Sequence, residues 1–84
     1  MTLDEQLAVF DRKSEQAYRR CLRSFKDRHE EILSEARKRM VASYPDYGDR
    51  SWRKGFHELR QDELEEMADC INYRVMRIAQ GWPN

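Results

Sequence analysis

Apolar residues recur at three- and four-residue steps through the first half of the chain: Leu3, Leu7, Phe10, Tyr18, Cys21, Leu22, Phe25, Ile32, Leu33, Ala36 and Met40. Steps of that size put side chains on one face of an α-helix. No Gly or Pro interrupts them. The pattern predicts one long helix over about residues 3–43, opened by Thr2 and Glu5 in capping-box form. Ser14 and His29 fall on the stripe and mark where such a helix would bend or divide, with a split helix as the alternative. A second series, Phe56, Leu59, Leu64, Met67, Ile71, Val75 and Ile78, predicts a helix over about residues 56–80, with Gly81 and Pro83 as stop residues around Trp82. Residues 44–55 hold one of the two prolines and two of the three glycines, which is the composition of a connection.

The expected fold is therefore all-α, a helical hairpin of two long helices in a single domain of 84 residues. Folding back around the connection would set residues whose numbers add to about 100 at the same height. Helix one is the longer, so Leu3, Leu7 and Phe10 would extend past the end of its partner. A second copy, completing a four-helix bundle about a two-fold axis, would cover them, and a homo-oligomer is the expected state.

Composition supports this expectation. Charged residues make up 38% of the chain and hydrophobic ones 39%, as in amphipathic helices with narrow apolar stripes. Sixteen basic and sixteen acidic residues cancel, so no global field draws the chain to nucleic acid or anionic membrane. Basic residues cluster between Arg12 and Arg28, but they spread around the helix with acidic neighbours, and a solvated face is the expected reading. Cys21 and Cys70 lie far apart, outside any zinc-ligand spacing, and are read as reduced packing thiols. His29 is read as a packing histidine. No stretch approaches the roughly 18 apolar residues of a membrane span, and MTLDEQLAVF lacks the basic and apolar regions of a leader, so the expectation is a cytoplasmic protein without a membrane partner.

Chemistry concentrates in the second helix and the connection before it. Glu66 and Asp69 stand three residues apart and share a face with Tyr73, away from the apolar stripe. Paired carboxylates of this kind suit Mg²⁺, a hard cation that takes oxygen ligands and keeps waters for a substrate phosphate. The connection interleaves Tyr47 and Trp52, rings on which a base can stack, with Arg50, Arg53 and Lys54, cations that can hold phosphates. The E-x-x-D step followed by an apolar run resembles half of the signature of MazG-like all-α nucleoside-triphosphate pyrophosphatases. YGDRSW, Tyr47 to Trp52, resembles the segment before this helix in small phage-encoded relatives. The resemblance covers about residues 44–80. It implies Mg²⁺ held by Glu66 and Asp69, and a nucleotide-related function. In such a protein Arg50, Trp52, Arg53, Lys54 and Tyr73 would contact the nucleotide. The family's E-x-x-E pair on an earlier helix has no counterpart, since Glu30, Glu31 and Glu35 lack that spacing.

Two other readings stand beside it. Glu66 and Asp69 also suit an ordinary solvated face in the first half of a helix, where the dipole favours acids, with Tyr44 and Trp52 capping the end of the core. The chain would then be a non-enzymatic phage or bacterial accessory protein that binds a protein partner or sequesters a nucleotide signal. No serine has the His-and-acid setting of a nucleophile, and no Gly-rich phosphate loop is present.

Overall fold

The computed structural model describes residues 1–81, so the expected stop residue Pro83 and its neighbour Trp82 lie outside the described residues. The described chain is all-helical. Helix α1 spans Leu3–Asp27, α2 spans His29–Tyr47, a 3₁₀ turn covers Arg50–Arg53, and α3 spans Phe56–Ala79.

The capping box forms as its residue types dictate. The Glu5 amide donates to the Thr2 hydroxyl at 3.2 Å, and the Thr2 amide donates to the Glu5 carboxylate at 3.1 Å. These bonds hold the Glu5 carboxyl below its ordinary value of 4.5, the backbone bond from Thr2 first and the Thr2 side chain second.

The expected first helix is two helices, divided at Arg28, whose φ of −115° and ψ of 30° leave the helical region. No Gly or Pro lies there. The stripe instead has a gap, because Lys26, Asp27, Arg28, His29, Glu30 and Glu31 separate Phe25 from Ile32 with no apolar residue to hold two turns against a partner. Charge placement favours the division: Lys26 lies in the last turn of α1, and Glu30 and Glu31 in the first turn of α2, each matching the local helix dipole. Arg28 also clamps the Glu31 carboxylate with bonds of 2.9 and 2.6 Å. His29 opens α2 and is exposed, so it does not pack as expected.

The connection is shorter than expected. Helix α2 runs on through Pro45 to Tyr47 and stops at Gly48, whose φ of 55° is open to glycine at little cost. Helix α3 ends near its expected limit, at Ala79, with Gly81 at φ 81°.

Helix α1 packs against α3, whereas α2 touches only the end of α1 to any extent and buries no residue. The core between α1 and α3 is small: Ala17 is fully buried, and Cys21 and Val75 nearly so. Lys13, Ser14, Arg20 and Ser24 from α1, with Cys70, Ile71, Arg77 and Ile78 from α3, are half-buried around it. Arg74 is buried too and donates to the Ser24 hydroxyl at 2.8 Å.

Most of the predicted stripe lies outside this core. At 100° per residue, Leu7, Tyr18, Leu22 and Phe25 sit roughly 80–140° around α1 from Ala17. They remain exposed. Small side chains meet α3, and the large apolar ones form a second, outward face. On α3 the division runs along the length, with Val75 buried and Ile71 and Ile78 half-buried, but Phe56, Leu59, Leu64 and Met67 exposed.

Candidate functional site

The connection folds through its own charges. The Arg50 guanidinium donates to the backbone carbonyls of Asp46 at 2.6 Å and Tyr47 at 3.2 Å, and lies 5.2 Å from the centre of the Tyr47 ring. Those carbonyls belong to the last turn of α2, where no intrahelical donor reaches them, so Arg50 acts as the helix cap. Arg53 grips both oxygens of Asp49, at 2.8 and 3.1 Å from one nitrogen. Lys54 donates to Asp62 at 2.8 Å and ties the connection to the second turn of α3. That carboxylate raises the lysine above its ordinary value. Each of the three cations expected to hold phosphate has an intramolecular partner.

Trp52 and Tyr44 do not cap the core; both are exposed. With Tyr47, Met40, Ala36 and Leu59 they line an open groove of about 1150 Å³ between the C-terminal half of α2 and the start of α3. The groove is mainly apolar and aromatic, and its backbone walls come from the turn that Arg50 braces.

Glu66, Asp69 and Tyr73 share a face as the helical period requires. That face lies roughly 120–180° around α3 from the buried Val75 but about 40–100° from Cys70, so it flanks the contact with α1 and stays exposed. Glu66 and Asp69 form no ion pair among the described residues, and their side chains have open solvent around them. Tyr73 is exposed as well. Seventeen residues separate it from the start of α3, about 25 Å along the axis, which keeps it apart from the connection in one chain. Glu30, Glu31 and Glu35 belong to α2, which packs against neither face of α3.

Among the described residues no three His, Cys, Asp or Glu side chains group closely enough to hold a metal ion. One chain supplies the two carboxylates of the E-x-x-D step and no third. Two carboxylates suit a Mg²⁺ only when water or phosphate fills the other positions.

A contact that spacing did not reveal lies in the core. The Cys21 and Cys70 sulfurs are 3.7 Å apart, and the Cys21 thiol points at the Cys70 carbonyl at 3.8 Å. Both thiols are free. Burial pushes Cys21 above the ordinary thiol value, and the hydrogen bond with Cys70 adds to this. The register expected of an unbroken hairpin would have set these residues about two and a half turns apart; division at Arg28 and extension of α2 to Tyr47 change it. Both are free packing thiols, as their spacing suggested, and they also touch each other.

No family model matches the chain, and no curated protein and no solved structure matches it significantly. No helix among the described residues is long and apolar enough to cross a membrane.

Proposed function

We propose that this chain is a non-enzymatic helical binding module that works as a homo-oligomer, with the outward face of α1 as its principal contact. The observation that carries this reading is the surface left uncovered. The chain exposes 7631 Å². A folded monomer of 10.2 kDa is expected to expose about 5,300 Å². The excess of about 2,300 Å² per chain, about 4,600 Å² over two, falls in the size range of obligate homodimer interfaces.

The excess has an apolar character where the new contact would form. Tyr18, Leu22 and Phe25 form an exposed apolar patch on the C-terminal half of α1, and Leu3, Leu7 and Phe10 form a second at its N-terminal turns, with Asp11, Ser14 and Glu15 between the two. A net charge of zero means two copies approach without long-range repulsion. Pairing such patches about a two-fold axis gives a four-helix arrangement from two α1–α3 pairs. Sedimentation equilibrium on the purified chain tests this reading: dimers or higher closed species are expected at micromolar concentration, and a monomer throughout would overturn it.

A second reading is favoured by the unpaired Glu66 and Asp69 beside Tyr73. In a MazG-like protein these carboxylates would hold Mg²⁺, and a nucleotide would bridge them to a neighbouring subunit. The aromatic groove of Tyr44, Tyr47 and Trp52 offers stacking surface for a base. Thermal unfolding with nucleoside triphosphates, with and without Mg²⁺, separates the two readings. A magnesium-dependent rise that disappears in Glu66→Ala/Asp69→Ala supports nucleotide binding; no rise with any nucleotide leaves the module as a protein-binding one.

A further inference from the structure

The core of this protein is unusual in what occupies it. Where a helix pair of this size would place leucines, α1 and α3 meet through Ala17, Val75 and two cysteines. The Cys21 and Cys70 sulfurs are 3.7 Å apart across a sequence separation of 49 residues. A disulfide has its sulfurs about 2.05 Å apart, so closure needs the two sulfurs to approach by about 1.6 Å. The two positions also differ in access. Cys21 is buried and Cys70 is half-buried at the margin of the contact, so an external reagent meets Cys70 first.

We propose that Cys21 and Cys70 are a modification site, a thiol pair that closes reversibly into a disulfide between α1 and α3 by exchange with a low-molecular-weight disulfide such as oxidised glutathione. In the first step the Cys70 thiol loses its proton to solvent and its sulfur attacks one sulfur of the glutathione disulfide. One S–S bond breaks, one forms, and a glutathione thiolate leaves and takes up a proton. In the second step the deprotonated Cys21 sulfur attacks the Cys70 sulfur of the mixed disulfide and expels the second glutathione. Two protein thiols are oxidised and one glutathione disulfide is reduced to two thiols. Reduced glutathione runs the sequence backwards.

The geometry determines the outcome of the second step. A mixed disulfide on Cys70 keeps the sulfur to be attacked next to the Cys21 sulfur, with glutathione leaving on the opposite side, so ring closure competes well with a second glutathione. Burial and the shared hydrogen bond hold Cys21 in its thiol form and so slow the closing step, not the first attack by Cys70. The closed form ties together the two helices whose packing makes the core among the described residues. Helix α2 and the outward patches of α1 stay free, so closure stiffens the module without covering its binding face.

The test equilibrates the full chain with mixtures of oxidised and reduced glutathione, quenches with acid, and reads products by intact mass and peptide mapping. The native chain is expected to pass to a form lighter by two hydrogens, carrying a Cys21–Cys70 linkage and no glutathione. At a fixed concentration of reduced glutathione, it should do so at an oxidised glutathione concentration about thirty- to nine-hundredfold lower than the same chain in guanidinium, the usual range for a linkage compatible with the fold. Cys21→Ser should stop at a single mixed disulfide on Cys70. Accumulation of doubly glutathionylated native chain would overturn the proposal, as would disulfides between chains in place of the internal one. Equal equilibria in native and denatured chain would do the same, since folding would then contribute nothing to the pairing.

Discussion

Replacing Leu22 and Phe25 by alanine isolates the outward patch of α1 from the core. In the single chain Leu22 is 54% exposed and Phe25 is 56% exposed. Neither touches the Ala17–Val75 contact, so the internal packing of α1 on α3 has little to lose. Full burial of a Leu or Phe side chain is worth about 1.5–3 kcal/mol, and roughly half of each side chain remains to be covered, so each contributes about 0.75–1.5 kcal/mol on association. A two-fold interface counts every substitution twice. The double variant should therefore lose about 3–6 kcal/mol per dimer, which weakens the dissociation constant about a hundred- to twenty-thousandfold. Sedimentation equilibrium over a wide concentration range reads this directly, with Arg37→Ala on α2 as a control of unchanged affinity. A double variant that associates as tightly as the parent would show that the patch is not the interface. If both were monomeric, the surface argument would fail altogether.

Three further outcomes follow from the same geometry. Ala17 is fully buried, so Ala17→Leu should overpack the closest approach of α1 to α3 and cost about 1–3 kcal/mol, seen as a lower midpoint of thermal unfolding; an unchanged midpoint would place the contact elsewhere. Arg50→Ala removes the donors to the Asp46 and Tyr47 carbonyls and should destabilise the end of α2 by about 1 kcal/mol, with faster amide exchange at Gly48 and its neighbours; exchange unchanged there, together with lost nucleotide binding, would assign Arg50 to a ligand instead. The Glu5 carboxyl titrates below its ordinary value of 4.5 in the folded chain, so its stabilisation of the first turn is fully present above that value and fades as pH falls through the lower folded value. Amide protection at the start of α1 should follow that course and become independent of pH in this window in Glu5→Gln; identical profiles for the two proteins would remove the capping box from the account.

Much of the local structure was legible in the residues. Thr2 and Glu5 announce the start of α1, because the bonds they make join near neighbours and need no tertiary partner. The second stripe marks α3 to within a residue or two at either end, since the connection's Gly55 and the terminal Gly81 interrupt helix on both sides. The division at Arg28 was signalled too, by His29 on the stripe and by the six-residue apolar gap around it, and the split helix that these left as the alternative is what forms. Pro45 misled: a proline near the end of a helix forfeits one hydrogen bond, and α2 continues past it under the Arg50 cap.

The candidate site shows the limit more sharply. Periodicity put Glu66, Asp69 and Tyr73 on one face of α3, and that follows from helical geometry alone. It could not say that Arg53 and Lys54 would be taken by Asp49 and Asp62, because pairing depends on how the connection turns. By itself the sequence determined which residues are helical, which share a face, and how far apart they stand along an axis, since these follow from bonds within a few residues. Only the tertiary structure decided which arc of α1 meets α3, and with it the contact of Cys21 with Cys70 and the exposure of the large apolar side chains. An amphipathic helix offers a broad face, and the arc that is used depends on where small side chains permit the closest approach and on the register the intervening helix imposes.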